Sequence, residues 1–122
     1  MPISAAESQV MEALWRQSPL TAEEIVAEVA QPQGWSEATV KSLINRLLTK
    51  GAIEAEKDGR RYLYSPRVER LAYLSQESRG LIDRLFDGRV APLVSHFSKT
   101  NQLSPDDVAE LKRLIAELED DQ

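Results

Sequence analysis

Between Glu37 and Lys50 the chain sets Thr39, Lys41, Ser42, Asn45 and Arg46 at spacings that gather on one side of a helix. At ~100° per residue, Ala38, Ser42, Asn45 and Thr49 share a face, with Arg46 beside them and Thr39 and Lys41 on the flanks. The stripe Val40, Leu43, Ile44, Leu47 and Leu48 lies opposite. Small side chains would let such a helix seat deep in a DNA major groove. Asn can pair bidentately with adenine and Arg with guanine, each worth about 1–3 kcal/mol of discrimination. The outer face reads as free of acids. Arg60 and Arg61 come directly after Asp58-Gly59, a pair that predicts a hairpin turn. They are expected at a wing tip, against neighbouring phosphates or the minor groove. Any surface helix can carry residues of this kind; a basic tip beside an acid-free third helix is more specific than either alone.

Other chemistries find no support. Without cysteine, the 122 residues can form no disulfide, thiolate nucleophile or Cys-based zinc or copper site. His96 is the only histidine. One imidazole builds no convincing metal centre, so a surface or half-buried structural role is expected. The carboxylates show no acid/base pairing and read as solvated. Gly51, Gly59 and Gly88 each suit a cap or turn, and no glycine-rich phosphate loop is present. The expectation is therefore no enzyme, no metal and no cofactor.

The elements that must position the basic residues are legible from caps and periodicity. Ser4-Ala5-Ala6-Glu7 and Thr21-Ala22-Glu23-Glu24 are capping boxes. The first opens a helix with Val10, Met11, Leu14 and Trp15 on one side, ended by Ser18-Pro19. The second opens a helix with Ile25, Val26 and Val29 that stops near Gln31-Pro32-Gln33-Gly34. Ser36 caps the third helix and Gly51 terminates it. Alternating residues from Ala52 to Lys57 and from Arg60 to Ser65 flank Asp58-Gly59, the strongest short-range hairpin signal, here read as a type I′ turn. Trp15 and Trp35 are expected as core and turn anchors.

Beyond Pro66 the pattern is helical throughout: about Val68 to Phe86, then a short helix with Val90, Leu93, Val94 and Phe97, then one opened by Ser104-Pro105-Asp106-Asp107. The fold class is mainly α with a small β wing. Residues 1–66 form a winged helix-turn-helix domain and residues 67–122 a helical dimerisation arm. Three amphipathic helices with little else to pack on imply a second copy of the chain. The residues assigned to that contact are Leu71, Leu74, Leu81, Leu85, Leu93, Phe97, Leu111, Leu114, Ile115 and Leu118.

The net charge of −5 conceals a segregated distribution. From Val40 to Arg61 stand Lys41, Arg46, Lys50, Lys57, Arg60 and Arg61 against Glu54, Glu56 and Asp58. Acids concentrate early, at Glu7, Glu12, Glu23, Glu24 and Glu28, and again from Asp106 to Asp121. DNA would feel the local basic patch rather than the total. No secretory signal and no apolar run near the ~20 residues of a membrane helix are visible, so a cytoplasmic protein with no membrane contact is expected.

A set of motifs spread along the chain resembles the penicillinase-repressor family, closest to its BlaI/MecI branch. It comprises Ile3-Ser4, Val10-Met11, Leu14-Trp15, Leu20 to Ile25, Trp35-Ser36, Thr39-Val40-Lys41, Asn45-Arg46-Leu47, Lys50-Gly51, Asp58-Gly59-Arg60, Tyr62 and Tyr64-Ser65-Pro66. The similarity continues through Glu77-Ser78, Leu85 to Gly88, Leu103-Ser104 and Glu110-Leu111. The resemblance implies a homodimeric repressor on a palindromic operator with TACA/TGTA half-sites, controlling β-lactam resistance or related genes. It places Thr39, Lys41, Ser42, Asn45, Arg46 and Arg60 against DNA. It further implies a membrane sensor protease system whose action leads to cleavage in the arm. Staphylococcal members carry Asn-Phe at that bond, and this chain has His96-Phe97. The cysteine cluster of the copper-responsive branch is missing, which excludes copper sensing by that route. Two alternative readings are a winged-helix regulator sensing a small ligand between head and arm, and a winged-helix module for protein contact.

Overall fold

The computed structural model describes residues 2–120; Asp121 of the C-terminal acidic run lies outside them. The order is α1 (Ala5–Arg16), α2 (Ala22–Gln33), α3 (Glu37–Lys50), β1 (Ile53–Asp58), β2 (Arg61–Pro66), α4 (Arg70–Phe86), α5 (Val90–Lys99) and α6 (Pro105–Asp120). Both capping boxes form as the sequence predicts. The Ser4 hydroxyl accepts from the Glu7 amide at 3.1 Å while the Glu7 carboxylate accepts from the Ser4 amide at 2.8 Å. Thr21 and Glu24 repeat the exchange at 3.1 and 2.9 Å. The Ser36 hydroxyl accepts from the Thr39 amide, and α3 closes on Gly51 in the left-handed region. Asp107 and Ser104 exchange bonds in the same way at the start of α6.

The inner stripes of the first three helices meet in one core. Val10, Met11, Leu14, Ile25, Val29, Val40, Leu43, Ile44 and Leu47 are buried there, joined by Leu20, Ala52 and Ile53. The strands pair antiparallel from Ile53↔Pro66 to Asp58↔Arg61. Of β1 only Ile53 is buried, and Tyr64 of β2 packs against the core from the other strand, so the far end of the hairpin projects from it. A third β segment, not expected from the sequence, braces the base of the hairpin: Leu20 and Tyr64 exchange backbone bonds at 3.0 and 2.7 Å. A single bridging residue leaves no alternation to read.

The chain divides into two compact units, one through Leu74 and one from Ser75 onward. Residues 67–74 of the expected arm thus belong to the head unit. The expected long helix starts at Arg70 rather than Val68, because the Val68 carbonyl accepts the Trp15 indole N–H at 2.8 Å. The Trp15 ring lies 5.3 Å from that of Tyr73, and Arg70 pairs with Glu12 at 3.2 Å. Trp15 therefore anchors the start of α4 as well as flanking the core. Of the apolar residues buried among those described, every one but Ile82 is in the head.

One charged group breaks the expectation of solvated carboxylates. Glu7 is 1% exposed, and the ammonium of Lys50 bonds both its Oε1 and the carbonyl of Pro2. The pair ties the start of α1 to the end of α3. Burial pushes the Glu7 carboxyl up, but the Lys50 bond, the Ser4 bonds and the Lys50 charge outweigh it and hold the group below its ordinary 4.5. A carboxylate depressed by folding contributes stability above its unfolded value, lost as pH falls through the folded one. Glu7→Gln should therefore lower stability near neutral pH by about 2 kcal/mol or more, as removing one partner of a buried pair does. It should also flatten the loss of stability below pH 4.5, as measured by urea unfolding across pH.

Candidate nucleic-acid interface

With Val40, Leu43, Ile44 and Leu47 turned into the core, the opposite face of α3 is fixed in solvent. Ala38, Thr39, Lys41, Ser42, Asn45, Arg46 and Thr49 are all exposed. Their hydrogen-bonding states differ. The Thr39 hydroxyl is engaged with that of Ser36 at 3.0 Å, and the Thr49 hydroxyl donates to the Asn45 carbonyl. Among the described residues, the side chains of Ser42, Asn45 and Arg46 have no protein partner. They form a contiguous patch of donors and acceptors still available to base edges and phosphates.

The face is less free of acid than expected. Glu37, in the first turn of α3, pairs with Lys41 at 2.9 Å. Glutamate four residues before lysine is the favourable orientation for a helical pair. The Lys41 bond holds the Glu37 carboxyl below its ordinary range, and Glu37 in turn raises the Lys41 ammonium. Lys50, expected in the basic patch, is instead committed to Glu7. The reason in each case is proximity across elements or turns, which a local charge count does not register.

The wing turn also departs from expectation. Asp58 is a strand residue paired with Arg61, so the two loop residues are Gly59 and Arg60, not Asp58 and Gly59. Gly59 has φ +64° and Arg60 is not in the positive region. These are the φ signs of a type II′ turn, which takes glycine at its first central position. Arg60 therefore stands at the apex instead of following the turn, exposed and unpaired among the described residues. Arg61 sits one step back, bonded to Asp58 at 3.1 Å; the Glu24 carboxyl at the start of α2 is held below its ordinary range chiefly by its Thr21 bonds, with the Arg61 charge a minor contributor. Of the basic patch, the structure thus presents Arg46 on the helix and Lys57 and Arg60 on the wing as unpaired cations among the described residues, with Lys41 and Arg61 as paired ones.

In the second unit, Leu71 of the expected contact set lies before the boundary, as does Leu74, while the others follow it. Leu71, Leu74, Leu81, Leu85, Leu114, Ile115 and Leu118 are exposed; Leu93, Phe97 and Leu111 are half-buried. His96 is exposed on α5 with its ring 5.6 Å from that of Phe97, edge to face. The described residues hold no group of three or more His, Cys, Asp or Glu placed to bind a metal ion. No helix of the described residues is long and apolar enough to cross a membrane.

Three helices on one core, the third with a polar outer face, and a braced hairpin ending in an arginine define a winged helix-turn-helix protein. The chain belongs to the penicillinase repressor family, which matches residues 3–117. It is 30% identical to the penicillinase repressor of Bacillus licheniformis over 115 residues, 94% of this chain and 90% of that one. It is 32% identical to the methicillin resistance regulatory protein MecI of Staphylococcus aureus, over 93% of this chain and 92% of that one. Among solved structures it resembles the monomeric form of Bacillus licheniformis BlaI in complex with the blaP half-operator. That likeness has a TM-score of 0.54 and 33% identity, covering 60% of this chain and 89% of the other.

A side chain at Gly59 would force a non-glycine residue into positive φ, a strain of roughly 1–3 kcal/mol. Gly59→Val should loosen the wing without dissolving the core. Faster amide exchange along β1 and β2, with unchanged protection in α1 and α3, would show it.

Proposed function

We propose that the protein acts as a homodimer that grips a palindromic operator with one winged-helix head on each half-site. Membership of the penicillinase repressor family makes it a DNA-binding transcriptional repressor. The controlled genes are proposed to be those of β-lactam resistance or related functions, since the relatives named above include a penicillinase repressor and a methicillin resistance regulator. The observation that carries the reading is the exposed, unpartnered Ser42, Asn45 and Arg46 patch on α3, together with an exposed Arg60 at the apex of the wing. Asn45 and Arg46 read base edges; Thr39, Lys41, Ser42, Arg60 and Arg61 contact backbone and set the register.

The dimer is supported by the arm's lack of a core of its own. Leu85 is 59% exposed and Leu118 65%, and burying one such side chain contributes roughly 1.5–3 kcal/mol. A second copy covering α4 and α6 would remove that surface from water. Coupling two heads raises the effective concentration of the second contact, a gain of about 10²–10⁴. Induction through a membrane sensor system would act by destroying that coupling. The His96–Phe97 bond lies within α5, so cleavage there requires the helix to open locally.

The test is a titration of the full chain against DNA from upstream of its own gene and a scrambled duplex, at about 50 and 200 mM salt. Tight, salt-sensitive binding of two chains to the native duplex alone is expected. Weak, equal binding to both would favour the protein-contact reading. The double variant Ile115→Asp/Leu118→Asp alters side chains already exposed in the single chain, so each protomer stays folded. Sedimentation should show monomers, and operator affinity should fall by about 10²–10⁴. A variant that remained dimeric would exclude α6 from the contact.

A further inference from the structure

Two of the four cations assigned above to DNA, Lys41 and Arg61 but not Arg46 and Arg60, are already neutralised by carboxylates of the same chain. Glu37 holds Lys41 at 2.9 Å at the start of α3, and Asp58 holds Arg61 at 3.1 Å at the wing. Both pairs are more than half exposed, and each lies within one helical turn or one hairpin rung of the cation it holds. Arg46 and Arg60 have no such partner among the described residues. Lys41 and Arg61 thus differ from Arg46 and Arg60 in one respect, the presence of a competing anion.

We propose that Glu37 and Asp58 are internal competitors for DNA phosphate, which set how tightly this surface binds any DNA backbone. The inference rests on the assignment of this face to DNA. A phosphate that engages Lys41 or Arg61 must break the carboxylate pair or share the cation with it. Sharing places two anions on one cation, and breaking leaves a carboxylate facing a polyanion. Either way part of the attraction is cancelled. A cation neutralised in the free protein also contributes less to the net counterion release that drives non-specific binding. The device fits an acidic chain that must leave non-operator sequences quickly, because the loss falls on the sequence-independent contacts and spares the bases read by Asn45 and Arg46.

The sign of the effect is unusual for removal of an ion pair: losing the carboxylate strengthens binding. Glu37→Gln and Asp58→Asn should each tighten binding to mixed-sequence duplex DNA by roughly two- to five-fold at low salt, the scale of an exposed pair. The salt dependence should steepen by up to about 0.9 in log–log slope for each cation released. Because the contact is to the backbone, a duplex carrying inverted TACA/TGTA half-sites should show the same shift. Glu117→Gln supplies the control. It removes one negative charge from an exposed pair with Arg113 on α6 and should leave both readouts unchanged. If Glu37→Gln and Asp58→Asn match Glu117→Gln in affinity and slope, while Arg46→Ala and Arg60→Ala weaken binding, the competitor role is wrong and the interface stands. If Arg46→Ala and Arg60→Ala also leave binding unchanged, this face does not meet DNA and both assignments fall together.

Discussion

The burial of one stripe on α3 constrains everything the head can do. Val40, Leu43, Ile44 and Leu47 fill the space between α1, α2 and the base of the hairpin, and a helix has only one orientation that puts all four inside. That orientation fixes Ser42, Asn45 and Arg46 in solvent without any contact of their own to hold them. The ends of the helix are pinned separately: Ser36 satisfies the first turn, and Lys50 reaches back to the buried Glu7 at the opposite end. The exposed face of α3 thus gains its rigidity from residues on the opposite side and at the ends of the helix.

The wing is positioned by the same core through fewer atoms. Ile53 anchors the first strand, and the Leu20–Tyr64 bridge binds the second to the segment between α1 and α2. The tip is left to turn chemistry alone, where Gly59 accepts the positive φ and delivers Arg60 to the apex. Helix and wing therefore share a base, but only the helix is packed against the core along its whole length. Charge follows a related division: within the basic strip, Lys41 and Arg61 are held by Glu37 and Asp58, while Arg46, Lys57 and Arg60 have no such partner among the described residues.

The second unit obeys the opposite rule. Its helices carry leucines at regular spacing but bury only Ile82, so their order along the chain is complete while their packing is not. The head closes its own core; among the described residues, the unit from Ser75 onward does not.

Caps, stripes and the hairpin were determined by the sequence because each depends on residues a few positions apart. Ser4 with Glu7, Thr21 with Glu24, Ser36 with α3 and Ser104 with α6 all form where local chemistry places them. The outer face of α3 follows from periodicity in the same way. Only the tertiary structure decided which cations remain available. Lys50 is claimed by a carboxylate 43 residues away, and the Leu20–Tyr64 bridge and the Trp15–Val68 bond likewise join distant segments. Even the short-range turn shifted by one residue, because strand register is set by which side chains the core accepts at Ile53 and Tyr64, not by the preference of Asp58-Gly59 alone. Local order is written in neighbouring residues; the partners of a charge are chosen by the fold that brings them together.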